Sequence, residues 1–181
     1  MASAITHAVT ACTIGYALRP VGPKLRFYAL AASCSIAPDL DVYGFSLGIE
    51  YEDLLGHRGL SHSLLAALAL GLAVSLVVYR PRTFSRRDRT RATVALVLAT
   101  ASHGVLDALT DGGLGVAFLS PFDATRYFAP WHPIVVSPIG IRSFFGEWGL
   151  AVLRSEIVAV WLPCAVAVML TAASRRAPGT R

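Results

Sequence analysis

Seven side chains in this sequence are of the types that hold divalent metals, at spacings that can bring them together: His7, Asp39, Asp41, His57, His62, His103 and Asp107. The tightest local element is Ser102-His103-Gly104-Val105-Leu106-Asp107. On a helix, a spacing of four leaves two side chains about 40° apart on one face. One metal can then take both, or the carboxylate can hold the imidazole N–H while the other ring nitrogen ligates, or the pair can satisfy itself at a helix end. In His57-Arg58-Gly59-Leu60-Ser61-His62-Ser63 the gap of five would set two helical histidines about 140° apart, too far for a shared face. His57 is therefore expected on a loop, with Gly59 permitting a sharp chain path and Ser61 capping the helix that carries His62. The two imidazoles then converge on one metal or serve two. Arg58 between them suits an anionic substrate group or an acidic neighbour. In Ala37-Pro38-Asp39-Leu40-Asp41 the proline stops the preceding helix and leaves both aspartates on an irregular segment, from which oxygens reach a metal along different directions. Mixed imidazole and carboxylate ligands favour zinc, manganese or iron over calcium.

The elements that must position these residues are apolar. Residues 60–79 and 92–109 meet the roughly 20-residue length of a bilayer span, and residues 157–174 nearly do, with Pro163 tolerated where neighbouring helices satisfy the freed backbone. Two shorter apolar helices, 3–18 and 25–37, come first, joined by the turn chemistry of Arg19-Pro20-Val21-Gly22-Pro23-Lys24. They suit a tilted or partial span, or a buried core pair. The expected fold is all-α: a multi-pass membrane helix bundle of about five apolar helices. It would form one membrane-embedded domain over residues 1–174, followed by a basic cytoplasmic tail at 175–181. Residues 111–155 read as a Gly/Pro/aromatic loop too long for a mere connector.

Composition agrees with a lipid-solvated chain. Of 181 residues 55% are hydrophobic and only 15% charged, against about 25% charged in soluble domains. Cys12, Cys34 and Cys164 lie in apolar runs without CxxC spacing, which argues against a disulfide framework or thiolate zinc site. No Lys or Arg occurs before Arg19, so the first helix lacks the basic start of a signal peptide. If all five helices cross, one side holds Arg19, Lys24, Arg26, the run from Arg80 to Arg91, and Arg175, Arg176 and Arg181, which is 12 of the 16 basic residues. The other side takes every acidic residue except Asp88 and all seven candidate ligands. The positive-inside rule then makes the arginine-rich side cytoplasmic and the N-terminus external, with the metal site extracytoplasmic. The run from Arg80 to Arg91 has no interleaved aromatic beyond Phe84, so nucleic acid is not an expected partner.

His7, Pro38-Asp39-x-Asp41, His57-Arg58-Gly59-x-Ser61-His62-Ser63, His103-x-x-x-Asp107-x-x-Thr110-x-x-Gly113 and Ser120-Pro121-Phe122 together resemble the YdjM-type family of bacterial inner-membrane, metal-dependent hydrolases. The histidine-rich element is the specific one. That resemblance implies a distant likeness to zinc-dependent phospholipase C and P1-type nucleases, with zinc as the first metal and phosphoester hydrolysis as the chemistry. The secreted relatives use an N-terminal Trp amine as a ligand, whereas this chain begins Met1-Ala2. One complete site or a two-metal site sharing carboxylates is therefore expected.

The mechanism this implies is metal-assisted hydrolysis, with Asp107 or Asp39 accepting a proton. The lipid bilayer and a phospholipid or phosphodiester substrate are the expected partners. Arg126 is a candidate for a phosphate or headgroup, or a plain surface charge. His132, between prolines, reads as a loop histidine, and Glu156 as a further ligand or a favourable acidic residue in a first helical turn. The non-catalytic alternative is a membrane scaffold or transporter-like protein whose metal fixes helix packing.

Overall fold

Local capping sets the helix boundaries. In the computed structural model, which describes residues 1–176, α1 (Ala4–Ala17) opens at Ser3, whose hydroxyl accepts the Thr6 N–H at 3.3 Å. It ends just before Arg19-Pro20. α2 (Lys24–Ile36) starts after Pro23 and gives way to a 3₁₀ segment, Ala37–Leu47, with Pro38 at its start. A short 3₁₀ turn, Leu60–His62, leads to α3 (Leu64–Val78), capped by Ser63 at 3.1 Å from the Ala66 N–H. The cap expected at Ser61 therefore falls two residues later, because the Ser61 hydroxyl is given to Asp41. α4 (Arg86–Ala108) opens on a reciprocal cap, Ser85 accepting the Asp88 N–H at 3.1 Å and donating to its carboxylate at 2.7 Å. An irregular stretch with isolated bridges at Thr110–Ile134 and Val116–Tyr127 follows. α5 (Ile141–Phe144), α6 (Glu147–Glu156), a π turn at Ile157–Trp161 and α7 (Leu162–Arg176) complete the described residues.

The all-helical class matches expectation, but the five-span bundle does not. Among the described residues one helix is long and apolar enough to cross a membrane: the continuous rod Glu147–Arg176, of 30 residues, whose most apolar 18-residue window has a mean hydropathy of 2.1. The other runs fall short for identifiable reasons. α3 is 15 residues, about 22 Å, because residues 60–63 are spent on the 3₁₀ turn and cap. α4 is 23 residues, but its first two turns carry Arg86, Arg87, Asp88, Arg89 and Arg91. α1 and α2 are 14 and 13 residues and bury Ala11, Phe27 and Ala31 against Ala92, Ala95, Leu96 and Ala99 of α4. The side-by-side alternation that rested on five crossings falls with them. The last helix also begins ten residues before the expected 157, so the loop expected over 111–155 ends earlier.

The fold still has two distinct ends. Phe84, in the turn between α3 and α4, lies against Gly22 in the turn between α1 and α2. Arg175 of α7 donates to the carbonyls of Tyr16 and Ala17 at 2.8 and 3.0 Å. Arg19, Lys24, Arg26, the Arg80–Arg91 run, Arg175 and Arg176 thus gather at one end. Arg181 lies outside the described residues. The opposite end holds the start of α1, the end of α2, the start of α3 and the end of α4. A second apolar cluster of Ala2, Leu106, Ile134 and Val160 packs there.

Candidate metal centre

The helix termini at that end deliver the polar residues. His7 comes from the first turn of α1, Asp39 and Asp41 from the 3₁₀ segment after α2, and His57 and Arg58 from a loop. His62 ends the turn before α3, and His103 and Asp107 sit on one face of the last turns of α4, as their spacing requires. Gly104 lets this convergence happen, since a Cβ there would stand 2.9 Å from the His62 carbonyl oxygen. Arg58 has a left-handed backbone, φ 62, and its carbonyl accepts the Ala117 N–H at 3.0 Å.

Four buried donors form the centre: Asp39, His62, His103 and Asp107. His103 Nδ1 donates to the Ser35 carbonyl at 2.6 Å, and His62 Nδ1 lies 3.1 Å from Asp41 Oδ2. Those bonds fix the tautomers and leave both Nε2 lone pairs facing inward. His62 Nε2 and His103 Nε2 are 2.9 Å apart. Asp39 Oδ1 is 3.6 and 3.3 Å from them, and Asp107 Oδ2 is 3.5 and 3.9 Å from them. A tetrahedral site with ligand bonds of about 2.0–2.2 Å needs donors roughly 3.3–3.6 Å apart. Both Asp39 oxygens and Asp107 Oδ2 are buried without a hydrogen-bond donor. Arg58 stands 3.1 Å from Asp107 Oδ2, but Asp39, opposite two inward lone pairs, is costly to bury unless a cation, a proton or a metal, lies among them. The donor set therefore fits a divalent metal.

A second group of three, Asp41, His57 and His62, adjoins the first. Asp41 Oδ1 accepts from His57 Nδ1 at 2.7 Å, and Asp41 Oδ2 takes the Ser61 hydroxyl and the Arg58 N–H. His7 belongs to neither group. It stacks on His103 with ring centroids 3.8 Å apart, and its Nε2 lies 3.4 Å from Asp107 Oδ1.

Burial and charge act in opposite directions on these groups. Burial alone would lower the His62 pKa, but the carboxylates of Asp107, Asp39 and Asp41 outweigh it and push it up to about 10. Burial and the neighbouring imidazoles of His7 and His62 bring His103 down to about 4, against the pull of Asp39. Burial works to raise Asp39 and Asp107. The His103 and His62 imidazoles hold Asp39 well below the usual carboxylate range, and the Met1 ammonium, His62 and His7 do the same for Asp107.

The two arginines raised as substrate contacts are engaged with the protein. Arg58 is fully buried, with Nε 3.1 Å from Asp107 Oδ2, one terminal nitrogen 2.8 Å from the Gly112 carbonyl and the other 2.9 Å from Thr110 Oγ1. Gly113 packs on it so closely that a Cβ would stand 2.8 Å from its guanidinium, at φ +89. Arg126 donates to the His57 and Tyr51 carbonyls at 2.9 and 2.8 Å. His132 is exposed beside Phe128, apart from the centre. Glu156 is buried in neither role raised for it: it accepts the Ser3 N–H and hydroxyl at 2.5 and 2.6 Å. The Ala2 N–H donates to Asp107 Oδ1 at 2.8 Å, and the Met1 amino group lies 3.9 Å from Asp107 Oδ2. Sequence reasoning missed the Ser35 carbonyl and the Ser3–Glu156 tie, for backbone acceptors and contacts 153 residues apart leave no local signal. A cavity of about 340 Å³ reaches Met1, His57, Arg58 and Gly113 beside the cluster.

Over residues 1–178 the sequence matches the family described as YdjM inner membrane protein. It is 36% identical over 165 residues, 90% of this chain and 92% of the relative, to "Inner membrane protein YbcI" of Escherichia coli (strain K12). No solved structure matches. Both names support an inner-membrane location. The chain, with its buried His/Asp cluster and long apolar helix Glu147–Arg176, belongs to the YdjM inner membrane protein family.

Proposed function

We propose that this chain is a membrane-bound, metal-dependent hydrolase acting on a phosphoester or lipid-type substrate, with zinc as the first metal and manganese or iron as alternatives. The observation that carries this reading is the convergence of Asp39, His62, His103 and Asp107, with separations of 2.9–3.9 Å between histidine nitrogens and their facing donors and with carboxylate oxygens that no hydrogen bond satisfies. The likeness to zinc phospholipase C and P1-type nucleases, taken from motifs alone, belongs to the same proposal. When bound, a divalent metal supplies a Lewis acid and a water of lowered pKa. Asp41 and the Ser35 carbonyl orient the His62 and His103 imidazoles. Arg58 holds Asp107 in place. Asp39 is the first candidate to accept a proton, because neither of its oxygens has a donor, while Asp107 Oδ1 is occupied by the Ala2 N–H. Asp41, His57 and His62 are the proposed ligands of a second metal, and His7, outside both groups, packs on His103 beside Asp107. Substrate would approach through the cavity beside His57 and Arg58, with Arg126 at its loop.

The active face is proposed to be extracytoplasmic, with the C-terminus cytoplasmic. The support is that the basic residues and the His/Asp cluster occupy opposite ends of the fold, with Arg175 and Arg176 at the end of the one candidate span. In a cysteine-free background, Arg142→Cys and Arg176→Cys should label from opposite sides of inverted and right-side-out vesicles. Labelling from one side alone rejects this orientation.

Complete burial of all four donors favours a second reading, a closed structural metal in a scaffold or transporter-like protein. Metal analysis of the detergent-purified chain, followed by assays with bis(p-nitrophenyl) phosphate and phospholipids, separates the two. Hydrolysis lost together with metal in His103→Ala supports the enzyme. Full metal occupancy without hydrolysis supports the scaffold, and a metal-free wild-type chain rejects both.

A further inference from the structure

Away from the His/Asp cluster, at the basic end, α3 and α4 flank an open cavity of about 410 Å³ lined by two arginines, three hydroxyl residues and three apolar side chains. Arg86 and Arg89 stand three residues apart on α4, so they project to the same side of the helix. Neither makes an ion pair or a side-chain hydrogen bond among the described residues. The nearby acid, Asp88, is already held by Ser85 and by Arg91 at 3.0 Å. The rest of the wall is Leu72 and Leu76 of α3 and Val94 of α4, each more than 40% exposed. Its floor is closed by a 2.6 Å hydrogen bond between Ser75 and Thr93, which joins the two helices and leaves their hydroxyls satisfied.

We propose that this cavity is a binding site for an anionic phospholipid, whose phosphate takes the two free guanidinium groups while the start of an acyl chain covers Leu72, Leu76 and Val94. Arginine forks match phosphate oxygens in pairs. The apolar half distinguishes the occupant. A nucleic acid backbone would leave those three side chains in water, whereas a diacyl lipid buries them. The surroundings are continuous with such a ligand, since Leu64, Leu65 and Leu68 extend the exposed apolar strip of α3 and Arg80 and Arg82 extend the positive rim. The inference does not depend on hydrolysis at the other end.

Native mass spectrometry of the detergent-purified full chain, titrated with dioleoyl phosphatidylglycerol, tests it. One saturable lipid should bind, at least tenfold more tightly than dioleoyl phosphatidylcholine. Arg86→Gln with Arg89→Gln should weaken it at least tenfold and leave the metal content at the His/Asp cluster unchanged. Leu76→Trp, which fills the cavity from an exposed position without altering charge, should also weaken it tenfold. Arg82→Gln, outside the cavity, should change it less than threefold. Phosphatidylglycerol binding within threefold of wild type in the double variant or in Leu76→Trp overturns the proposal. So does equal binding of phosphatidylcholine, or displacement of the lipid by equimolar inorganic phosphate or duplex DNA. If the arginine variant does not fold, Leu76→Trp decides alone.

Discussion

His62 Nε2 and His103 Nε2 face each other across 2.9 Å, each with its Nδ1 committed elsewhere, to Asp41 and to the Ser35 carbonyl. Two inward lone pairs at that distance repel unless they share a cation, so the geometry is informative only as a set. His103→Ala should therefore lower metal affinity by more than the roughly 10–100-fold that follows loss of a ligand's supporting partner. Elemental analysis after dialysis against a graded chelator series checks it, and full retention rejects this ligand set.

Asp41 contacts His57, His62, Ser61 and the Arg58 N–H at once. Asp41→Asn keeps the shape but weakens its hold on both imidazoles, and metal affinity should fall about 10–100-fold. Unchanged affinity would mean that the two rings are oriented by packing alone.

Protons compete with metal at His62. In the metal-free chain its raised pKa, about 10, makes the proton-bearing cluster stabilising below the ordinary value of 6.5, and this contribution is lost as pH rises through about 10. Metal binding must expel that proton, so metal affinity should rise about tenfold per pH unit across neutrality. The chelated protein should then unfold more easily at pH 10 than at pH 6.5, while the stabilisation added by metal grows over the same interval. Thermal unfolding with and without metal tests both signs.

Arg58 is a buried cation with three protein partners and a left-handed backbone. Breaking such a pair costs about 3–5 kcal/mol. Arg58→Ala should lower the unfolding midpoint substantially and Arg58→Lys somewhat less, because the ammonium keeps the charge near Asp107 but cannot span Thr110 and Gly112. Equal midpoints for wild type and Arg58→Ala would show that the pair adds nothing.

Glu156 fixes the start of α1 through Ser3. In Glu156→Ala the amides of residues 2–8 should exchange with solvent at least tenfold faster while those of α4 stay protected. Hydrogen exchange by mass spectrometry reads the two regions separately.

Much of the candidate site was legible because its pieces are local. The His103–Asp107 spacing, the end of α2 before Pro38 and the forced loop position of His57 each follow from a few consecutive residues, although Asp39 and Asp41 lie in a 3₁₀ helix and not on the irregular segment expected. The span count was not legible, because apolar length does not distinguish a lipid-facing helix from a short helix packed in a bundle. α1, α2 and α4 use alanines to pack on one another, and α3 spends its first residues on a turn. The roles of Arg58 and Arg126 as internal braces were equally hidden, since a guanidinium reads the same whether it meets substrate or its own backbone.

The tie between Ser3 and Glu156 also sets an order of events. These residues are 153 positions apart, and Glu156 lies on the long helix Glu147–Arg176, which is synthesised after every residue of the His/Asp cluster. Until that helix is made and seated, Ser3 lacks the carboxylate that takes its N–H and hydroxyl, and the start of α1 rests on its contacts with Ser35, His103, Asp107 and Ser137. A chain cut short before Glu156 carries all seven candidate metal-ligating side chains yet lacks the carboxylate that caps the start of α1. Any metal taken up by the cluster would then be held less tightly in truncated molecules than in finished ones.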